Sequence, residues 1–126
     1  MITGVRSVGI YVGDQDRAVE FWTKTLGFEL LQDAPVGPDP QAARWIEVAP
    51  PDRSVVLVLF TPPGQEERVG TFSNVLFRVD DLAATHRDLS AQGVRFPEEP
   101  RQEFWGPWAM FSDPDGNSYG LGERDD

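Results

Sequence analysis

The stretch that opens this chain is written a second time just past its midpoint. Val8-Gly9-Ile10-Tyr11-Val12, Gly13-Asp14, an amphipathic run to Leu26 and Gly27-Phe28 returns as Val75-Leu76-Phe77-Arg78-Val79, Asp80-Asp81, a run to Gln92 and Gly93-Val94. A duplicated unit of this length is one supersecondary module used twice, and each copy has to bury its apolar face against shared structure. The 126 residues suit one globular domain, since domains commonly run to about 100–150 residues. A single domain spanning 1–126 is therefore expected, with module one over about 4–61, a linker over about 62–71 and module two over about 72–124. Binding or chemistry is expected between the copies.

Each copy reads β-α-β-β-β. Val8, Ile10 and Val12 alternate with Ser7, Gly9 and Tyr11, the period of a strand with two different faces. Asp14 can cap the following helix, because its carboxylate accepts from free backbone N–H groups at the positive helix end. Ala18, Val19, Phe21, Trp22 and Leu26 form that helix's apolar face, and Gly27 closes it. Strands are expected at Phe28–Ala34, Trp45–Val48 and Ser54–Phe60, with a proline-rich loop at Pro35–Pro40 and a breaker-rich connection at Thr61–Glu67. The second copy places a strand at Asn74–Val79, a helix at Leu82–Gln92 capped near Asp81, and a short strand around Val94-Arg95-Phe96. An irregular segment is expected from Pro97 to Pro107. A hairpin of Trp108–Ser112 and Ser118–Glu123 then turns at Asp113-Pro114-Asp115-Gly116-Asn117, where proline presets one dihedral and Asp-Gly supplies a positive φ.

Composition removes several function classes. Twenty-one acidic residues against eleven basic give a net charge of -10, so neither nucleic acid nor an anionic membrane surface meets the counter-charge it needs. Without cysteine there are no disulfides, thiolate nucleophiles or thiolate metal sites. No apolar run approaches the ~20 residues that span a bilayer, and the first residues lack a signal-peptide pattern. A cytoplasmic protein is the expectation.

Two β-α-β-β-β modules, with Phe21-Trp22 ahead of Leu26-Gly27-Phe28 and a terminal Asp113-Pro114-Asp115-Gly116-Asn117, resemble the vicinal oxygen chelate superfamily. That group includes glyoxalase I, extradiol dioxygenases, fosfomycin-resistance enzymes and bleomycin-resistance proteins. The resemblance covers nearly the whole chain and implies an α+β fold, in which the modules form a curved mixed sheet around a cup with helices outside. It also implies that metal-using members place His, Gln or Glu at four inward positions on the first and last strands of each module. Laid on that pattern, those positions fall on Ser7, near Val58, on Asn74 and on Gly120. Valine and glycine have no lone pair to give, and a neutral hydroxyl or amide oxygen is a poor ligand for a divalent first-row ion. Neither a metal nor a cofactor is therefore expected. The sole histidine, His86, lies on the second helix and is read as an ordinary helix residue.

Alternation assigns the cup lining to Ser7, Gly9, Tyr11, Asn74, Leu76 and Arg78, and adds Trp45, Glu47, Val56, Val58, Phe60, Trp108, Met110, Ser118 and Gly120. Apolar walls with a few polar groups suit a flat or amphipathic organic ligand. Trp22 belongs to the helix core, whereas Trp45, Trp105 and Trp108 are free to line a pocket or a dimer interface. Trp105-Gly106 matches a Trp-Gly that recurs before the last hairpin in the bleomycin-resistance group. Ser7, Tyr11, Trp45, Glu47, Phe60, Asn74, Arg78, Trp105, Trp108 and Met110 are accordingly the candidate ligand contacts, with no catalytic residue assigned. Glu66, Glu67, Glu98, Glu99 and Glu103 read as solvated loop charges.

A metal-free binding protein that sequesters a small molecule explains the missing ligands and the aromatic lining together. A metal-independent enzyme would use Tyr11, Glu47 or Arg78 as acid, base or anion clamp on a small carbonyl substrate. A metal-dependent glyoxalase or dioxygenase lacks its ligands, and an interaction or regulatory domain is the remaining class. The resemblance also implies a homodimer, for which sheet edges at Ser54–Phe60 or Ser118–Glu123 are expected to supply the surface.

Overall fold

The computed structural model describes residues 1–39, 42–71 and 73–123. It divides into two compact units, Met1–Val69 and Gly70–Asp126, each holding one copy of the repeat. Unit 1 contains β1 (Val8–Ile10), α1 (Gln15–Glu20), β2 (Glu29–Pro35), β3 (Arg44–Ala49) and β4 (Leu57–Leu59). Unit 2 contains β5 (Leu76–Arg78), α2 (Leu82–Ala91), β6 (Arg101–Glu103), β7 (Gly106–Ser112) and β8 (Ser118–Gly122). Each unit has its own four-stranded mixed sheet, ordered β1-β4-β3-β2 and β5-β8-β7-β6. Strands and helices thus occur in α+β proportion, in the expected β-α-β-β-β order.

The first strand of each unit pairs in parallel with the last, β1 on β4 and β5 on β8. This pairing corrects the expectation about edges. Ser54–Phe60 and Ser118–Glu123 contain β4 and β8, which are central strands, and the edges are β1, β2, β5 and β6. A helix joins β1 to the rest of its sheet, so the chain can cross over and lay its first strand beside its last.

Local chemistry sets the helices. The Asp14 carboxylate accepts from the Arg17 N–H at 3.0 Å and the Asp81 carboxylate from the Ala84 N–H at 3.0 Å, so both helices are capped as their sequences imply. Glu123 returns from beyond β8 and accepts the Leu82 N–H at 2.8 Å, satisfying a second open donor of α2. Beyond Glu20 the first helix widens into a π-helical turn, Phe21–Thr25. That turn carries Trp22 into the core, where its ring is fully buried and meets Phe28 edge-on at 5.1 Å. Gln15 ties α1 to the sheet: its amide nitrogen donates to the Arg44 and Leu59 carbonyls at 2.7 and 2.8 Å, and its oxygen accepts from the Arg44 N–H at 2.9 Å.

One face of each sheet is packed in the core: Ile10, Ile46, Val48, Leu57 and Leu59 in unit 1, and Ala109, Phe111, Tyr119 and Leu121 in unit 2, where Leu82 of α2 is buried too. In β4 the burial extends to Val58 on the other face.

Three boundaries differ from expectation. Only Leu57–Leu59 of Ser54–Phe60 is strand. Pro35 belongs to β2 rather than to the loop, which an edge strand tolerates because a missing N–H there breaks no ladder on its outer side. Val94-Arg95-Phe96 contributes only an isolated bridge, Arg95 to Ser112, while the segment expected to be irregular holds β6 and the start of β7. Pro40 of the expected loop, and Phe72 and Arg124 near the expected ends of the second module, lie outside the described residues.

The Asp113–Asn117 turn is densely hydrogen-bonded. Gly116 has φ 93°, a value that only glycine takes without strain. The buried Asp113 carboxylate accepts the Asp115 and Asn117 N–H groups, the Asn117 amide and the Tyr119 hydroxyl, at 2.9, 3.0, 2.9 and 2.6 Å. Burial pushes the Tyr119 hydroxyl well above its ordinary value, and the adjacent Asp113 charge adds to the shift. By fixing Ser112 opposite Ser118, the turn sets the register of the whole β7–β8 pair, with Met110 opposite Gly120 and Trp108 opposite Gly122.

Candidate functional site

The ten candidate contacts fall into two groups, one on each sheet. In unit 1, Gly9, Val58 and Glu47 lie side by side across β1, β4 and β3. Ser7 and Tyr11 flank β1 at alternating positions, both half-buried. Trp45 is brought against two of the others. Its ring sits 5.4 Å from that of Phe60, and its indole N–H donates to the Glu47 carboxylate at 2.9 Å. Val58, opposite Glu47, is 4% exposed.

In unit 2, Leu76, Gly120 and Met110 lie side by side across β5, β8 and β7, and Arg78, Gly122 and Trp108 form the neighbouring row. Asn74 precedes β5 at the alternating position and is exposed. Leu76 is 64% exposed and Met110 36%, so this face presents apolar side chains to its surroundings while the opposite face is buried. Trp108 lies across β8 itself. A methyl group built on Gly120 would come within 2.4 Å of Trp108 Cη2 and 2.6 Å of Leu76 Cδ2, and one on Gly122 would meet the same indole at 3.7 Å. The ring therefore occupies the space that a side chain at 120 would fill, and lies in ordinary van der Waals contact with position 122. Trp105, at the β6–β7 turn, meets Trp108 edge-on at 5.7 Å, and Phe104, 93% exposed, meets Trp105 edge-on at 4.6 Å.

Beside this row is a pocket of about 260 Å³, lined by Trp108, Met110 and Ser118 on the sheet and by Pro97, Glu98, Glu99 and Arg101 on the segment leading into β6. Arg101 is held by Glu98 at 3.2 Å and Glu103 at 3.1 Å. Composition alone makes Glu98 and Glu99 ordinary loop charges. They become pocket walls because β6 pairs with β7, with Arg101 opposite Trp108. The sequence cue for that pairing is slight, three residues between Pro100 and Phe104.

The four strand positions at which metal-using relatives carry ligands hold Ser7, Val58, Asn74 and Gly120. Ser7 and Asn74 lie just before β1 and β5, and Val58 and Gly120 lie within β4 and β8. Among the described residues no three His, Cys, Asp or Glu side chains come together in a way that could hold a metal ion. His86 is half-buried on α2, with its ring edge-on to Phe96 at 4.6 Å. Among the described residues no helix is long and apolar enough to cross a membrane.

Comparison with known proteins gives a consistent picture. The family model described as Glyoxalase/Bleomycin resistance protein/Dioxygenase superfamily matches residues 4–120. Uncharacterized protein YetH of Bacillus subtilis (strain 168) is 35% identical over 123 residues, covering 98% of this chain and 100% of its own. A crystal structure of a member of the same superfamily from Sphaerobacter thermophilus DSM 20745 superimposes with TM-score 0.86 at 32% identity, covering 98% of both chains. TnmS3, an antibiotic binding protein from Streptomyces sp. CB03234, superimposes with TM-score 0.80 at 36% identity, again over 98% of both chains.

Proposed function

Because the chain belongs to the Glyoxalase/Bleomycin resistance protein/Dioxygenase superfamily, we propose that it is a small-molecule-binding protein that takes up an aromatic or amphipathic organic ligand without a metal ion. The observation that carries this is the seat of Trp108 on Gly120. The position where a metal-using relative would carry an acidic ligand has no side chain, and the space beside it is filled by an indole. A carboxylate could not be accommodated there without displacing the ring.

The remaining donors do not fit a divalent ion either. Ser7 and Asn74 offer a neutral hydroxyl and amide, and Val58 offers nothing, whereas first-row ions are held by imidazole, carboxylate or thiolate. What each sheet face offers instead is aromatic surface with a few polar groups. On unit 1 Trp45 and Phe60 supply apolar contact and Ser7, Tyr11 and Glu47 orientation; on unit 2 Trp105, Trp108 and Met110 supply apolar contact and Asn74 and Arg78 orientation. That TnmS3 is described as an antibiotic binding protein supports the same class of ligand.

A metal-independent enzyme would need Tyr11, Glu47 or Arg78 to exchange a proton with a substrate or to clamp one. The Glu47 carboxylate is already engaged by the Trp45 indole N–H at 2.9 Å. That bond suits a carboxylate that orients a ring better than one that serves as a general base.

The test is a titration of the purified protein with a panel of aromatic and amphipathic compounds, followed by tryptophan emission in the presence of a chelator. At least one compound is expected to give a saturable change that the Trp108→Phe variant weakens by about tenfold, the order of one stacked aromatic contact. Absence of any saturable change across the panel contradicts the proposal, as does binding that appears only on adding a divalent cation.

A further inference from the structure

Glu47 of unit 1 is a half-buried carboxylate for which the surrounding sheet supplies no cation. It stands on β3 in a row that runs from Gln32 on β2 through Glu47 to Val58 on β4 and Gly9 on β1. Val58 opposite it is 4% exposed, and the rings of Trp45 and Phe60 meet 5.4 Å apart on the same sheet. One carboxylate oxygen, Oε2, accepts the Trp45 indole N–H at 2.9 Å, and among the described residues this is the one hydrogen bond that Glu47 makes. Arginines that form ion pairs in this unit are engaged elsewhere: Arg44 with Asp16 and Asp33 at 2.7 and 2.8 Å, and Arg53 with Glu29.

A neutral N–H fills one of the several acceptor positions of a carboxylate and leaves its charge uncompensated. Where the carboxylate is half-buried among apolar side chains, that charge is less well solvated than at an open surface, and a cation brought to it is held more strongly.

We infer that Glu47 is the counter-ion for a ligand that carries an ammonium group on an apolar body, with Oε1 receiving the ammonium N–H while the Trp45 indole holds Oε2. This role rests on the binding function proposed above and names the charge of its ligand. The far end of the row is open, since a methyl group built on Gly9 would meet nothing within 4 Å. An apolar body can therefore lie along Val58 and Gly9 with its charged end at Glu47. The net charge of -10 draws cations toward the chain from a distance. Glu47 then favours those with an apolar part, because the residues next to it are apolar.

The test adds three compounds that share one ring system and differ in charge to the panel: tryptamine, a cation at neutral pH, tryptophol, its neutral counterpart, and the anion indoleacetate. Binding is measured by equilibrium dialysis. Wild type is expected to hold tryptamine at least about tenfold more tightly than tryptophol, the order of one charge-assisted hydrogen bond, with indoleacetate weakest. In Glu47→Gln the side-chain volume is kept and the amide oxygen can still accept the Trp45 N–H, so the ring stays in place while the charge is removed. The ratio of tryptamine to tryptophol affinity is expected to fall to about one in this variant. Glu47→Asp, which keeps the charge, should keep a preference for tryptamine.

A residue that only orients Trp45 would leave the ratio unchanged in Glu47→Gln, so an unchanged ratio overturns the role. Equal binding of tryptamine and tryptophol by wild type overturns it as well. If every compound that binds is neutral or anionic, the counter-ion role falls and the binding function stands; if no compound binds at all, both fall.

Discussion

Replacing Asp113 with alanine is expected to destabilise the protein by about 3–5 kcal/mol, because each buried donor left without a partner costs about 1–3 kcal/mol. The carboxylate is 6% exposed and serves four donors at once: the Tyr119 hydroxyl, the Asn117 amide and the Asp115 and Asn117 N–H groups. Two neighbours make relaxation harder. Asn117 also accepts the Gly70 N–H at 3.1 Å, and a methyl group at Gly70 would lie 2.1 Å from the Asp115 carbonyl oxygen, so the turn and the segment entering unit 2 are packed together. Urea unfolding reads the loss directly, and a change below about 1 kcal/mol would show that water can replace the carboxylate.

Tyr119 adds a pH dependence of known sign. Its hydroxyl ionises above its ordinary value because it is buried beside Asp113. The unfolded chain loses that proton near pH ~10 while the folded chain retains it. The contribution is therefore fully present below about pH 10 and declines as pH rises, by up to about 1.4 kcal/mol per pH unit. Tyr119→Phe should flatten this alkaline limb at a cost of about 1 kcal/mol at neutral pH. An unchanged limb would assign the alkaline loss to other groups.

The second large effect is expected at Trp22, in the first unit. Its ring is fully buried, with Phe21 edge-on at 5.9 Å and Phe28 at 5.1 Å. Trp22→Ala is expected to cost about 3–5 kcal/mol through lost transfer energy and the cavity left behind. Trp22→Phe retains much of the aromatic contact and should cost markedly less. Equal losses for the two variants would mean that the surroundings collapse around the missing ring, contrary to a close-packed core.

The local layer of this fold was legible from side-chain chemistry. Alternation in Val8–Val12 and Val75–Val79 separates a more buried face from a more exposed one, Asp14 and Asp81 stand where the helices need caps, and Asp113-Pro114-Asp115-Gly116-Asn117 turns as its residues require. The family resemblance on these same features is confirmed by the match over residues 4–120. Pairing order was harder to read, because a strand of three residues such as Leu57–Leu59 carries no mark of which neighbours it will take. That Leu57–Leu59 becomes a central strand follows from the parallel return of β1, a long-range event.

Segment 97–107 misled for a different reason. Its prolines and glutamates dominate the composition, yet Arg101–Glu103 pairs with β7 and draws Glu98 and Glu99 to the pocket. The Trp108 seat was recoverable in principle. Once the turn sets Ser112 opposite Ser118, counting back places Met110 opposite Gly120 and Trp108 opposite Gly122, and two glycines facing a tryptophan leave the ring room to lie down. The tether from Trp45 to Glu47 had a weaker cue, a tryptophan and a glutamate two apart on one strand.

The central claim is that this chain recognises its ligand with aromatic surface and without a coordinated ion. Its most direct test is elemental analysis of the native protein after exposure to zinc, manganese and ferrous ions and removal of the unbound metal by gel filtration. Far less than one ion per chain is expected for each metal. One ion per chain, retained by wild type and lost on replacing Ser7, Glu47 or Asn74, would contradict the account.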